Sequence, residues 1–176
     1  MTSLISKIAV LAVSLMMAAP QFSNAQDAQM GQLIGQSMAK IDQTAPETFL
    51  TCISELKRIE AMYPEAAAPK YYAALQSLNY SVLNPHAEAT DGLLDDAGKL
   101  IASLEKCKGT DQSDLHTLKG FLYMVRIVQD PAQNGRRYYL DVMSHFEKAL
   151  KINPDNDLAR DLQQKFFDGM SQATGN

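Results

Sequence analysis

Apolar residues between positions 138 and 158 recur with the period of an α-helix. Val142, Phe146 and Ala149 occupy positions i, i+4 and i+7, which lie on one face of a helix. Pro154 follows five residues after Ala149, where a proline is expected to end the helix. The stretch therefore predicts a helix that packs one apolar face and stops at a tight turn.

The same order of residue types occurs twice more, at intervals of 45 residues. Each copy has a small or medium-sized residue, a bulky one, an apolar one and then a helix breaker. The three copies are Cys52, Leu56, Ile59 and Pro64; Ala97, Ile101, Leu104 and Gly109; and Val142, Phe146, Ala149 and Pro154. A fixed period of this size is typical of stacked helical hairpins, because no single hairpin can bury its apolar face alone.

Stripes of helical period, caps and breakers predict seven helices. Trp is absent, and Ala, Leu, Met, Gln, Lys and Glu dominate, which favours helix throughout. The first helix carries the stripe Met30, Leu33, Ile34, Met38 and Ile41, and the others are expected near 46–63, 69–83, 91–108, 111–130, 137–152 and 157–170. The expected fold is all-α over residues 26–170, with three hairpins and a C-terminal capping helix, and residues 171–176 are expected to fray.

The predicted turns alternate in length. Short turns are expected at 63–68, 108–112 and 153–156, and longer ones at 84–90 and 129–136. Antiparallel stacking would place the long turns on one edge, where insertions often mark the side that touches a partner. The alternative is that both long turns are tolerated surface loops.

The last unit resembles a tetratricopeptide repeat. The residues that carry the resemblance are Val142, Phe146, Ala149 and Pro154, the run Lys-Ala-Leu-Lys-Ile-Asn-Pro-Asp-Asn at 148–156, and Gly120 and Tyr123 as small and aromatic packing positions. The resemblance implies a right-handed stack of hairpins. The family period is about 34 residues, so each unit here is longer by about 11, and His116 stands where the family has a bulky aromatic residue. HEAT-type hairpins, with a period nearer about 45 residues, are the structural alternative.

The resemblance also implies a concave groove lined by the first helix of each hairpin. Carried over by register, the groove residues are Tyr72, Gln76, Asn79 and Tyr80 in the third helix and Thr117, Phe121 and Met124 in the fifth. Aromatic and amide side chains would hold an extended peptide by stacking and by hydrogen bonds to its backbone. The alternative is that Tyr80, Phe121 and Met124 belong to the core.

Two adjacent arginines, Arg136 and Arg137, precede the predicted sixth helix on the long-turn edge. Guanidinium groups bind carboxylates through two parallel hydrogen bonds, so the pair is a candidate clamp for a carboxylate of a partner peptide. The alternative is a solvated pair on an otherwise acidic protein.

The first 25 residues have the layout of an export signal. Lys7 supplies positive charge, the apolar run at 8–19 is too short to span a bilayer, and Ser23-Asn24-Ala25 offers small residues for cleavage before Gln26. The mature chain is therefore expected to be periplasmic or secreted, without stable membrane insertion. Its formal charge, −4 for the full chain and −5 without Lys7, argues against nucleic acid and anionic membranes as partners.

The sequence contains no catalytic or metal-binding motif that we recognise, so no enzyme activity, metal or cofactor is expected. Phosphate-binding glycine loops, Gly-x-Ser-x-Gly and His-Glu-x-x-His are absent. His86, His116 and His145 have no ligand partner at i+3 or i+4. His116 is expected at a packing position and His145 on an exposed helical face.

The two cysteines, Cys52 and Cys107, leave two alternatives open. An even count in an oxidising compartment suggests one disulfide. The 45-residue register separates the two by ten residues along parallel helices, which is about 15 Å and beyond the reach of about 7 Å for a disulfide. The other alternative is two buried thiols that pack as small apolar groups.

The favoured interpretation is an exported, non-catalytic module that binds a peptide or protein partner in the concave groove. One alternative is a small-ligand binder or enzyme that uses the long-turn edge, and another is a structural subunit of an envelope complex. Because three hairpins are near the minimum for a stable stack, weak self-association that covers an exposed end is a further alternative.

Overall fold

The computed structural model describes residues 25–174, and all regular secondary structure in this range is helical. Seven helices follow one another: α1 Ala25–Met38, α2 Pro46–Met62, α3 Ala67–Leu83, α4 Thr90–Leu104, α5 Gln112–Gln129, α6 Pro131–Ile152 and α7 Asp157–Thr174. The predicted all-α helical stack is confirmed. The predicted export signal lies outside the described residues except for Ala25, which begins α1. None of the described helices combines the length and apolar character needed to cross a membrane.

The helices pack as a stack in which each one contacts the next along the chain. The contact between α5 and α6 is the most extensive of these. α3 also contacts α5, and α5 contacts α7, so alternate helices lie side by side along the stack. One continuous apolar core receives side chains from all seven helices. A smaller cluster of Phe49, Ile53 and Tyr80 lies between α2 and α3.

The 45-residue pattern marks the buried faces of α2, α4 and α6. Leu56, Ile101 and Phe146, the bulky members of the three copies, have exposed fractions of 0%, 4% and 0%. All three belong to the same continuous core. The helix breakers of the three copies likewise fall just beyond the ends of these helices. The 45-residue pattern therefore selects buried positions on α2, α4 and α6.

The predicted long turn at 129–136 is wrong, because most of it is helical. α5 ends at Gln129 and α6 begins at Pro131, so Asp130 alone joins them. The Asp130 side chain accepts a hydrogen bond from the Gln133 amide (3.0 Å) and thereby caps α6. Pro131 is the first helical residue, where its missing amide hydrogen and fixed φ cost nothing. The proline starts a helix here rather than breaking one.

Two further helix ends differ from the prediction. α4 ends at Leu104 rather than near 108, and Thr110 Oγ1 donates to the Leu104 carbonyl (2.7 Å) across the turn that follows. Gly109 in this turn has a φ of 77°, in the left-handed region that favours glycine. At the other end of the chain, α7 continues to Thr174, past the expected end at 170.

Candidate functional site

Most of the residues predicted to line a groove are packed inside the stack. Only Tyr72 of the seven remains partly exposed. The buried ones are Gln76, Asn79, Tyr80, Thr117, Phe121 and Met124, each with an exposed fraction of 6% or less. The reason is that α3 contacts α2, α4 and α5, which leaves it few free faces. These six side chains therefore do not form an open surface in this structure.

Gln76 and Asn79 form a polar pair in the interior of α3. The Asn79 amide Nδ2 donates to Gln76 Oε1 (3.1 Å), and both side chains are buried. Asn79 Oδ1 has no hydrogen-bond partner among the described residues. An amide pair on successive turns of one helix compensates for part of the cost of its own burial. The pair is therefore packed within the fold rather than on an open surface.

An open cleft lies where the first turns of α3 and α5 meet. Its volume is about 190 Å³. The residues that line it are Ala67, Ala68, Tyr71, Tyr72, Leu104, Thr110, Asp111, Asp114 and Leu115. Because α3 and α5 are the first helices of neighbouring hairpins, their N-terminal turns lie at the same edge of the stack. The cleft therefore joins an aromatic wall from one hairpin to an acidic wall from the next.

The aromatic wall consists of Tyr71 and Tyr72. Their rings meet edge to face, with centroids 5.2 Å apart and planes at 85°, which is a favourable geometry for two aromatic rings. Burial raises the pKa of both phenols, and the nearby negative charge of Asp114 raises them further. Both phenols are therefore neutral over the physiological pH range, and the Asp114 carboxylate contributes to the rise of both pKa values.

The acidic wall is the start of α5. Asp111 caps the helix, and its Oδ1 accepts a hydrogen bond from the Asp114 amide (2.9 Å). Asp114 Oδ1 accepts from the Asn156 side-chain amide (3.1 Å). Burial and the charge of Asp111 raise the pKa of Asp114, and the hydrogen bond from Asn156 partly opposes that rise. The two carboxylates repel one another at the side of the cleft.

Asn156 fastens this wall to the last helix. Its Nδ2 reaches Ser113 Oγ (2.8 Å) and Thr117 Oγ1 (3.3 Å) as well as Asp114, and its Oδ1 accepts from the Ala159 amide (2.9 Å). The residue thus caps α7 and holds it against α5. Thr117, which was predicted to face a partner, is part of this buried network. The acidic wall is consequently held by hydrogen bonds from two elements.

A second cluster of polar aromatic groups lies along the contact between α5 and α6. Nδ1 of His116 lies 2.9 Å from Nδ1 of His145, and the ring centroids are 5.1 Å apart. Tyr123 stacks on His145 at 5.8 Å and on Tyr138 at 5.1 Å. The guanidinium of Arg137 lies 4.9 Å from the centre of the Tyr138 ring. We call these five residues the α5–α6 ladder.

The two histidines of the ladder are uncharged at neutral pH. Burial lowers the pKa of His145 to about 4, and the neighbouring basic groups of His116, Lys119 and Lys148 contribute to that shift. Burial, Lys119 and Lys148 also lower the pKa of His116. One Nδ1 must therefore donate its hydrogen to the other. The prediction that His145 lies on an exposed face is wrong, because the ring is partly buried against α5.

The arginine pair does not sit on a turn. Arg136 and Arg137 lie within α6 and are both exposed. Arg137 covers the Tyr138 ring at the end of the ladder. The two side chains remain accessible to a partner, although they are presented by a helix at the far end of α5 from the cleft.

Cys52 and Cys107 are free thiols. Burial raises the pKa of Cys52 to about 12, so its thiol is protonated and unreactive at neutral pH. Cys107 is partly exposed in the turn after α4. Within residues 25–174 no group of three or more potential metal-binding side chains comes together. Of the two alternatives for the cysteines, the structure has the unpaired thiols, one of them buried.

The sequence predicts a helix that starts at 111 and a groove that contains Tyr72. It does not predict that Asp111 and Asp114 line the same cleft as Tyr72. Tyr71 was not singled out. The available signal was the hairpin register, which puts the first turns of α3 and α5 at one edge of the stack. Leu104, the last residue of α4, also lines the cleft. No protein-family model, curated protein or solved structure significantly matches the chain.

Proposed function

We propose that the chain is a non-catalytic module that binds a protein or peptide partner and anchors one side chain of that partner in the α3–α5 cleft. The observation that supports this most is the cleft itself, which is walled by two tyrosines from one hairpin and two aspartates from the next. An aromatic and polar cleft on a stable helical stack provides a preformed site that costs little ordering on binding.

The size of the cleft favours a side chain over a free metabolite. Sites for small molecules usually enclose about 300–1,000 Å³ and cover most of the ligand surface. The cleft measures about 190 Å³ and is open to solvent. It has room for a side chain, whereas the rest of a partner would lie outside across the edge of the stack. Such anchors in well-packed pockets carry much of the energy of protein–protein interfaces.

The binding is proposed to take place outside the cytoplasm, in a periplasm or in the medium, as the export signal at 1–25 predicts. The acidic balance of the chain supports a protein partner over nucleic acid. The exposed arginines Arg136 and Arg137 offer a second, separate contact for an acidic part of the same partner.

Site-specific photocrosslinking tests the proposal. The crosslinker p-benzoylphenylalanine replaces Ala68 in the cleft and, as a control, exposed Gln36 on α1, a helix without extensive contact to α3 or α5. Both variants are expressed in cells that export the full chain, irradiated and analysed by mass spectrometry. We expect a discrete crosslink from Ala68, mapped to one short segment of one partner and absent from the Gln36 variant.

A companion variant links the crosslink to the cleft. Tyr72→Ala in the Ala68 variant should remove the crosslink while the circular dichroism spectrum stays helical. Equal crosslinking from both positions, or no protein crosslink from Ala68, would contradict the proposal. Crosslinks from Ala68 to a small metabolite alone would favour the second candidate, a small-ligand binder, for which the raised pKa of Asp114 in the cleft is the specific support.

A further inference from the structure

We infer that the side chain anchored in the α3–α5 cleft is a cation on an apolar stem, namely a lysine or arginine of the partner. This inference rests on the proposed function and adds to it the chemical class of the group that is recognised. The apolar part of the cleft, its tyrosine rings and its carboxylates each select one part of such a side chain.

The apolar wall suits the stem. Ala67, Ala68, Leu104 and Leu115 supply methyl and methylene surface on the cleft. Long basic side chains bury their methylene groups against such surface and keep the charged head in a polar environment. A glutamate would bring a shorter stem and the wrong charge, and a purely aliphatic side chain would leave the polar side of the cleft unused.

The tyrosine rings suit the charged head. Tyr71 and Tyr72 both line the cleft, and their rings are perpendicular to one another. The face of an aromatic ring attracts an ammonium or guanidinium group within about 6 Å of its centre. Both phenols stay neutral, because burial and the charge of Asp114 raise their pKa values. A cation in the cleft would therefore be attracted by the neutral rings and by the carboxylates rather than by a phenolate.

The carboxylates lack a cation of their own. Neither Asp111 nor Asp114 forms an ion pair with any basic side chain in residues 25–174. Each uses its Oδ1 for the hydrogen bond described above, and neither Oδ2 accepts one from the described residues. Burial raises the pKa of Asp114, and the negative charge of Asp111 raises it further. A cation bound beside both carboxylates would offset the repulsion between Asp111 and Asp114.

The lysine nearest to the cleft in sequence does not supply that charge. Lys70 lies between the alanines and the tyrosines of α3, but its Nζ donates to the carbonyls of Pro64 and Ala66. It also lies 3.7 Å from Glu60 Oε1. These contacts hold the buried ammonium on the side of α3 that faces the end of α2. The cleft is therefore left for a cation from another molecule.

The start of α5 does not favour an anion instead. The first amides of a helix ordinarily attract negative charge. Here Asp111 already accepts from the Asp114 amide and supplies that negative charge from within the chain. An anionic ligand would meet two carboxylates, whereas a cation would meet their unused oxygens.

The test measures the charge preference of the cleft directly. The probes are acetyl-Gly-Lys-Gly-amide and acetyl-Gly-Arg-Gly-amide, with the norleucine and glutamate tripeptides as neutral and acidic controls. Each is titrated into the ¹⁵N-labelled mature chain and followed by amide chemical shifts. We expect saturable shifts at 67–72 and 110–115 from the two basic probes, binding that weakens as salt rises, and at least fivefold weaker binding of the controls.

Conservative variants test the carboxylates. Asp111→Asn keeps the helix cap, and Asp114→Asn keeps an oxygen for the Asn156 amide, so both should fold. We expect each to weaken binding of the lysine probe at least threefold. Asp141→Asn, an exposed residue on α6, is the matched control for the loss of one negative charge and should leave binding unchanged.

The outcomes separate this inference from the proposed function. If norleucine binds as well as lysine, or if the asparagine variants bind the lysine probe normally, the cation preference is wrong, whereas the Ala68 crosslink to a partner can still stand. If no probe shifts the cleft residues, the cation preference is likewise overturned. If the Ala68 crosslink is absent as well, the proposed function fails too.

Discussion

Gly120 shows most directly how a single residue sets the packing of this fold. A Cβ atom at Gly120 would lie 2.8 Å from Cε1 and 2.9 Å from Cδ1 of the buried Phe146 ring. Such distances are shorter than van der Waals contact, and the Phe146 ring is fully buried in the core. The sequence predicts packing positions for Gly120 and Phe146, and in the structure the two residues are in contact.

Replacing Gly120 with alanine should therefore destabilise the protein. The added methyl group must displace the Phe146 ring, and overpacking of this kind costs about 1–3 kcal/mol, more than the gain of about 0.5–1 kcal/mol from removing a helical glycine. Urea unfolding followed by circular dichroism measures the effect.

Gly135→Ala is the matched control, since Gly135 lies in α6 with open space around its Cα. It should stabilise the protein by about 0.5–1 kcal/mol. A Gly120→Ala variant as stable as the wild type would show that Phe146 has room to move.

Among single residues, the sequence predicted burial better than exposure. The repeat correctly selected Leu56, Ile101 and Phe146 as core. The groove assignment selected residues from α3 and α5 by family register, and most of those are buried because the neighbouring helices cover both sides of α3. Whether an apolar or amide side chain faces a groove or a core depends on the stagger of neighbouring helices, which the local pattern of one helix does not encode.

At the scale of elements, α5 and α6 form an antiparallel hairpin with a regular register. His116 and Tyr123 lie 14 and 7 residues before Asp130, and Tyr138 and His145 lie 7 and 14 residues after Pro131. These four residues of the ladder are thus spaced by heptads on either side of the junction between Asp130 and Pro131, as in an antiparallel coiled coil. Had the proline been interpreted as the first residue of α6, the pairing of His116 with His145 would have followed.

The histidine pair makes the stability of this hairpin depend on pH. Both folded-state pKa values lie below the ordinary value, that of His145 at about 4, whereas both histidines titrate near about 6.5 when unfolded. The unfolded chain therefore binds more protons at acidic pH. The contribution of the pair to stability is complete above pH of about 6.5 and is lost as the pH falls from there towards about 4.

Urea unfolding between pH 7.5 and 5 tests this dependence. The double variant His116→Gln/His145→Gln should lose less stability than the wild type over this range, because the carboxylates titrate equally in both proteins. His86→Gln, at an exposed histidine on the turn after α3, should retain the wild-type slope. Identical slopes for the wild type and the double variant would refute the role of the pair.

Asn156 determines how the last helix is attached. It caps α7 and binds three side chains of α5 through one amide group. Asn156→Ala removes the cap and leaves Ser113 and Thr117 with fewer partners in a buried place. We expect a loss of about 2–4 kcal/mol, from a cap worth about 1 kcal/mol and two buried hydrogen bonds worth about 0.5–1.5 kcal/mol each.

The matched control is Asn153→Ala in the same turn. The Asn153 side chain is exposed and accepts only from the Asp155 amide (3.1 Å), so its loss should cost less than about 1 kcal/mol. Thermal unfolding monitored by circular dichroism compares the two variants. If both cost the same, the contacts between Asn156 and α5 do not contribute to stability.

On the scale of the whole molecule, stability should decline from the middle of the stack towards its first helix. α5 contacts α3, α4, α6 and α7, whereas α1 has its main contact with α2 alone. In stacks whose elements touch only near neighbours, end elements open separately from the rest. The ladder and the Asn156 network both include α5, which adds to the difference.

Hydrogen–deuterium exchange with mass spectrometry tests this order. Amides of α1 should exchange at least tenfold faster than those of α5 and α6, and their exchange should depend only weakly on denaturant, as expected for local opening. Equal protection of α1 and α5, lost together at the same denaturant concentration, would instead show that the described chain unfolds as one unit.

The overall architecture could be predicted because it depends on a pattern that is repeated along the chain. The 45-residue period, the proline-containing turn at 153–156 and the composition were enough for an all-α stack. The cleft could not be predicted in the same way, because it depends on where α4 stops and on how two hairpins meet. The turn at 105–111 supplies Thr110 and Asp111 to the cleft, and the course of this turn depends on where α4 ends.

The free state of Cys52 and Cys107 has a practical consequence. Because neither thiol is bonded, nothing that holds the seven helices together is removed by a reducing agent. Residues 26–176 should reach the same structure when they are produced in a reducing bacterial cytosol. Recombinant material for the labelling and titration work could then be made in quantity without an oxidative refolding step.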